Sequence, residues 1–150
     1  MRTFITSLVL SVAITTQAQT FRQIEPGVYL LAAGQEDTHT PLRYKEPVAK
    51  QLKDMPTTDN PFAKEGVHIE VNARGCVVDI PLAADENIYG FGLQMGSFVQ
   101  NNKKKRPLVN DHPLKDLGYT HAPQPFYISN KGYAVLINTA RYTTFYIGTN

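Results

Sequence analysis

The chain has 150 residues, with 42% hydrophobic, 10% aromatic and 19% charged. That composition is too rich in aromatics and too poor in charge for a disordered chain, and one cysteine excludes an internal disulfide framework. Fifteen basic residues nearly balance 13 acidic ones, for a net charge of +2, so strong steering toward nucleic acid is excluded as a general property of the surface.

The chain opens Met1-Arg2 and then runs uncharged to Phe21, with an apolar heart over residues 4–14 and Thr16 and Ala18 after it. A basic start, a short apolar run and small residues before a cut describe a secretory signal peptide over residues 1–18, cleaved after Ala18. The apolar run is too short and too often interrupted for a membrane span. The predicted product is therefore exported, to the periplasm or outside the cell, with one domain over residues 19–150. In that oxidising setting Cys76, inside the apolar run Cys76-Val77-Val78, is expected to be a buried, inert thiol.

The rest reads as all-β. Residues 27–31 form an early strand. Residues 34–66, with Pro41, Pro47, Pro56 and Pro61, read as a long loop with a short helix over 48–52. Val67, Ile69 and Val71 alternate with polar residues, Asn72 to Gly75 supply a turn, and residues 76–82 return, which predicts a hairpin. Asp85-Glu86 reads as a turn before a strand at Ile88. Residues 100–124 read as irregular, with Lys103-Lys104-Lys105-Arg106 as a solvated hairpin tip. Residues 126–129 and 133–138, joined by Asn130-Lys131-Gly132, predict a second hairpin, and residues 143–147 a further strand. The expected architecture is an antiparallel β-sandwich, incomplete at its C-terminal end.

A loop as long as 100–124 in a compact sheet protein calls for a function. Asp111 offers several acceptor positions for sugar hydroxyls or, equally, an Asx turn before Pro113; Asn110 has the same two readings. His121 is a candidate sugar contact or loop donor, and Tyr119 a candidate stacking ring. Asp111 and Asp116 do not make a convincing acid/base pair, since both would sit on one loop. No cofactor is expected, and no metal: His112 and His121 stand nine residues apart with nothing to complete a ligand set.

Asp85-Glu86-Asn87-Ile88-Tyr89-Gly90-Phe91-Gly92-Leu93-Gln94 resembles the DE-x-x-YG-x-G segment at the start of glycoside hydrolase family 31. Asn110-Asp111, the run from Pro125-Phe126-Tyr127 to Asn138, and the strand at Thr143–Gly148 resemble the segments that follow in that family, in order. The resemblance implies a galactose-mutarotase-like β-sandwich that packs on a (β/α)₈ barrel. It also implies that the barrel carries the two aspartates that cleave an α-glycosidic bond with retention. The sandwich sends its Asn/Asp loop to the barrel mouth, where an aspartate binds substrate hydroxyls, so Asp111, Asn110, His121 and Tyr119 are the expected substrate contacts. A barrel needs roughly 200–250 residues, and no aspartate of this chain matches a catalytic one. The expected partners are an α-linked oligosaccharide or glycoside and the missing barrel of the same polypeptide, with no nucleic acid and no membrane span. Gln94 stands where the family often has Glu, and Val109 where it often has Trp. The alternative, a self-standing secreted carbohydrate-binding module, is disfavoured by the absence of Trp. A structural or adhesive sandwich is compatible with the composition.

Overall fold

The structure, a computed structural model, describes residues 20–34, 37–40, 66–73, 75–109 and 119–149. The leader over 1–18 and the short helix over 48–52 lie outside the described residues. What is described is all β: eleven strands and no helix. Strands β1 (Thr20–Glu25) and β2 (Val28–Ala32) form an antiparallel hairpin. Its turn is Pro26-Gly27, with Gly27 at φ 72°, the positive φ that glycine adopts without a Cβ penalty. Strands β3 (His68–Asn72) and β4 (Gly75–Asp79) form the first hairpin predicted from alternation. The return strand ends at Asp79 rather than Leu82, three residues early.

The core is built by β5 (Ile88–Gly90), β9 (Phe126–Ser129) and β10 (Ala134–Leu136), in sheet order β10-β9-β5. Two-residue periodicity buries Tyr127 and Ser129 on one face of β9 and leaves Ile128 exposed on the other. Against that inner face packs a second pair, β6 (Lys103–Lys105) with β11 (Phe145–Ile147). Ile88, Phe91, Tyr127 and Ile147 form the buried cluster, flanked by Tyr133, Val135 and Phe145. Phe91 sits 4.6 Å from Phe145 and 5.7 Å from Tyr127, centroid to centroid, in tilted geometries that suit the aromatic quadrupoles. The segment before β6 stitches the two sheets together. The Gln100 amide donates to the Ile88 carbonyl (2.8 Å) and the Asn102 amide to the Ile147 carbonyl (2.7 Å).

Three expectations are corrected here. Residues 100–124 are not all irregular: they contain β6, β7 (Leu108–Val109) and β8 (Tyr119–Thr120). The basic run is not a solvated tip, because Lys105 lies opposite Phe145 on the core side of β6 and is fully buried. Cys76 is exposed rather than buried, because nothing described covers that side of the β3–β4 hairpin. Partial desolvation still raises its thiol pKa, which keeps it a poor nucleophile. One pairing also departs from the antiparallel rule: β7 and β8 run parallel.

The Asp85-Glu86 turn is present, but Glu86 does more than turn the chain. It is only 4% exposed. Its Oε1 accepts from Ser129 Oγ and from Tyr133 Oη, both at 2.5 Å, and its Oε2 accepts from the Ala83 amide at 3.0 Å. Asn101 donates to the Glu86 carbonyl at 2.6 Å and accepts from the Ile88 amide at 2.8 Å. A single carboxylate thus joins the entry of β5 to the β9–β10 turn. A second long-range tie links the segment after β2 to the segment after β10. There Asp37 accepts from Thr139 Oγ1 (2.5 Å) and Arg141 Nε (2.8 Å), and those two bonds hold its pKa below the ordinary value.

Candidate functional site

The candidate site lies where the chain leaves β7 and returns in β8, on either side of residues 110–118. The parallel register pairs Leu108 with Tyr119 and Val109 with Thr120. The next residues in the chain are Asn110 after the one and His121 after the other. The topology therefore sets Val109, which precedes Asn110 in the chain, beside Thr120, which precedes His121.

Below this pair the chain is tightly packed. At the end of β5 three successive residues have positive φ: Gly90 (131°), Phe91 (66°) and Gly92 (93°). A Cβ at Gly92 would stand 1.9 Å from the Ala122 carbonyl oxygen, and one at Gly90 would stand 2.6 Å from that of Phe126. Only glycine admits such an approach. Phe91 is a bulky residue in the left-handed region, where few non-glycine residues sit. It is held there by its amide bond to the Phe126 carbonyl (2.8 Å) and by complete burial of its ring. Thr120 Oγ1 donates to the Leu93 carbonyl, fastening β8 to the same turn.

Gln94 and Lys105 complete the base. Lys105 Nζ donates to Gln94 Oε1 at 3.0 Å, and Gln94 Nε2 donates back to the Phe91 carbonyl at 3.1 Å. Desolvation, with a smaller contribution from the Lys103 charge, pushes the Lys105 pKa down to about 8 from 10.5. Between about 8 and 10 the unfolded chain holds this proton and the folded chain has lost it, so stability rises with pH. Above 10 the trend reverses. Burial raises the Tyr127 hydroxyl to about 12 and the Tyr133 hydroxyl still further, so the unfolded chain ionises first. Denaturation curves taken between pH 7.5 and 11 are expected to show a maximum near pH 10. The rising limb, worth up to roughly 3 kcal/mol, should disappear in Lys105→Met.

The sequence-predicted site residues are placed as follows. His121 is exposed, immediately after β8. Tyr119 contributes its backbone to β8. Asp111 and Asn110 lie outside the described residues, as do His112 and Asp116. Sequence reasoning missed Lys105 and Thr120 as supports. Gln94, which stands where the family often has Glu, is the acceptor for a buried ammonium. Among the described residues, no group of three or more His, Cys, Asp or Glu is placed to hold a metal ion. No helix there is long and apolar enough to cross a membrane.

An all-β domain with one polar, glycine-dependent end and an aromatic core is the class these features define. Residues 12–145 match the family described as the glycosyl hydrolase 31 N-terminal galactose mutarotase-like domain, and the chain belongs to that family. No curated protein matches it.

Proposed function

We propose that this chain is the substrate-mouth domain of an exported α-glycosidase. Residues 1–18 would direct export and residues 19–150 would form the domain. The observation that carries the reading is the family match over residues 12–145. The packed backbone at β8 supports it, because Thr120 Oγ1 is bonded to the Leu93 carbonyl beside the Gly92–Ala122 contact, which fixes the strand that His121 follows. In this reading the substrate is an α-linked oligosaccharide or glycoside. Asp111 accepts hydrogen bonds from two sugar hydroxyls, which an ionised carboxylate can do with both oxygens. Asn110, His121 and Tyr119 complete the contact. Bond cleavage belongs to two aspartates on a (β/α)₈ barrel of the same polypeptide, one as nucleophile and one as acid/base, with retention of configuration.

The test is hydrolysis of 4-nitrophenyl α-glycosides. The 150-residue chain is expected to release no nitrophenol, whereas the barrel-containing polypeptide is expected to turn over at least one such glycoside. In that longer protein, Asp111→Ala is expected to lower kcat/KM by about 10- to 100-fold, the value of a charge-assisted hydrogen-bond pair. Turnover by the 150-residue chain that vanishes in Asp111→Ala would show instead that catalysis resides in this domain.

A further inference from the structure

The basic run over residues 103–106 is split by the pleat of β6. Lys105 faces the core, while Lys104 on the same strand and Arg106, just past its end, are exposed. Lys104 is the register partner of Tyr146 on β11, and its Nζ lies 5.1 Å from the centre of the Tyr146 ring. The Arg106 guanidinium carbon lies 5.1 Å from the centre of the Tyr142 ring. Both rings are open to solvent, Tyr142 at 77% and Tyr146 at 61% exposure. Each ring therefore has surface free for contact, with a cation against it. Ion pairs among the described residues include His68–Asp79, Lys131–Asp85 and Arg141–Asp37. Neither Lys104 nor Arg106 has a carboxylate partner there.

We propose that this outer face of the β6–β11 pair binds an anionic polysaccharide, a chain of sugars bearing carboxylate or sulfate groups. Each position pairs an aromatic ring with a cation. With the cation over one face, each tyrosine ring has its other face and edge for the C–H face of a sugar, and the cation takes the acid group of a neighbouring sugar through a charge-assisted hydrogen bond. Two such units stand side by side. Lys104 on β6 and Arg106, one residue past its end, are two positions apart in the chain, a backbone separation of at most about 7 Å, which is the scale of one sugar in a polymer. A nucleic acid suits the face less well. Two outward cations neutralise at most about two phosphates, too few for appreciable counterion release, and the near balance of 15 basic and 13 acidic residues adds little long-range attraction. The Lys104 and Tyr146 side chains stand on the opposite side of the β6–β11 pair from the buried Lys105.

Affinity electrophoresis of the full chain tests this, with polygalacturonate (carboxylate), dextran sulfate (sulfate), neutral dextran and single-stranded oligothymidylate as probes. Retardation by one or both anionic polysaccharides and none by dextran is the expected result, and the two anionic arms tell which acid group is read. The double variant Lys104→Gln/Arg106→Gln is expected to weaken binding roughly tenfold. Tyr142→Ser/Tyr146→Ser, which leaves the charge unchanged, is expected to weaken it roughly fivefold. Tyr146→Phe, which keeps the ring, should bind like the parent. All these side chains are exposed, so melting curves should not move. If a double variant does not melt cooperatively, the single Lys104→Gln gives the same reading. Absence of retardation by both anionic polymers overturns the proposal. So does equal or tighter binding of the oligothymidylate, or undiminished binding by the tyrosine double variant.

Discussion

Gly92→Ala is expected to cost the chain roughly 3–5 kcal/mol of stability, while Gly132→Ala costs about 1 kcal/mol. Both glycines have positive φ, 93° and 85°, so the conformational penalty of an L side chain is shared. They differ in space. A Cβ at Gly132 meets nothing within 4 Å, whereas one at Gly92 meets the Ala122 carbonyl oxygen at 1.9 Å and its carbon at 2.9 Å. Neither contact is a flexible side-chain end. To make room, either the turn after β5 or the strand β8 must shift, and the Thr120–Leu93 hydrogen bond ties one to the other. Stabilities of typical domains are only about 5–15 kcal/mol, so the loss is large enough to unfold a marginal chain. Guanidinium denaturation of the two variants beside the parent measures the difference. Equal midpoints for the two variants would mean that β8 yields freely, and the claim of a rigid base would fail. If Gly92→Ala does fold, the displacement falls on the backbone beside Tyr119 and His121. In the glycosidase reading it should therefore raise KM more than it lowers kcat.

Much of the fold was legible because its elements obey local rules. The Val67–Val71 alternation, the Asn130-Lys131-Gly132 turn and the β-branched and aromatic run at residues 143–147 each set a strand without help from distant contacts. β1 was missed for a local reason as well. Its register shifts between Gln23 and Glu25, so Phe21 and Ile24 fall out of a two-residue period, and the strand does not read as one. β6 was missed for a tertiary reason. A run of four basic residues has the composition of a solvated tip. Only the pairing with Phe145, Tyr146 and Ile147 turns Lys105 inward and buries it.

The candidate site was legible in a different way. The motif from Asp85 to Gln94 marked a segment of interest, but its residues serve different purposes that no spacing rule separates. Glu86 braces the core sheet, Gly90 and Gly92 allow backbones to touch, and Gln94 receives a buried ammonium. Those roles depend on Ser129, Tyr133, Ala122, Phe126 and Lys105, which lie 11 to 47 positions away. The parallel pairing of β7 and β8 is likewise set by tertiary contacts, since two-residue strands carry no periodicity of their own.

Glu86 gives the other large effect. Desolvation alone would raise its pKa, but the bonds from Ser129, Tyr133 and the Ala83 amide outweigh that and lower it below 4.5. A depressed carboxyl contributes stability above its unfolded pKa and loses it as pH falls through the folded value. The Glu86 contribution should therefore be complete at pH 7 and fade as pH drops below about 4.5. Glu86→Leu removes the acceptor and leaves three donors unanswered in a buried place, with an expected cost of about 3–5 kcal/mol at neutral pH. Glu86→Gln is nearly isosteric, and its effect is smaller. Its oxygen can turn to the Ala83 amide while the hydroxyls of Ser129 and Tyr133 rotate to accept from its NH₂ group. The charge is lost, and with it the acceptor of the Ser129 and Tyr133 hydroxyl protons, an expected cost of about 1–2 kcal/mol. Because a protonated Glu86 is the chemical likeness of glutamine, the gap between parent and Glu86→Gln should narrow steadily from pH 7 to pH 3. Urea denaturation at several pH values reads this gap directly. A gap that stays constant with pH would assign the loss to packing and remove the charge from the account of why this turn holds β5 against the β9–β10 hairpin.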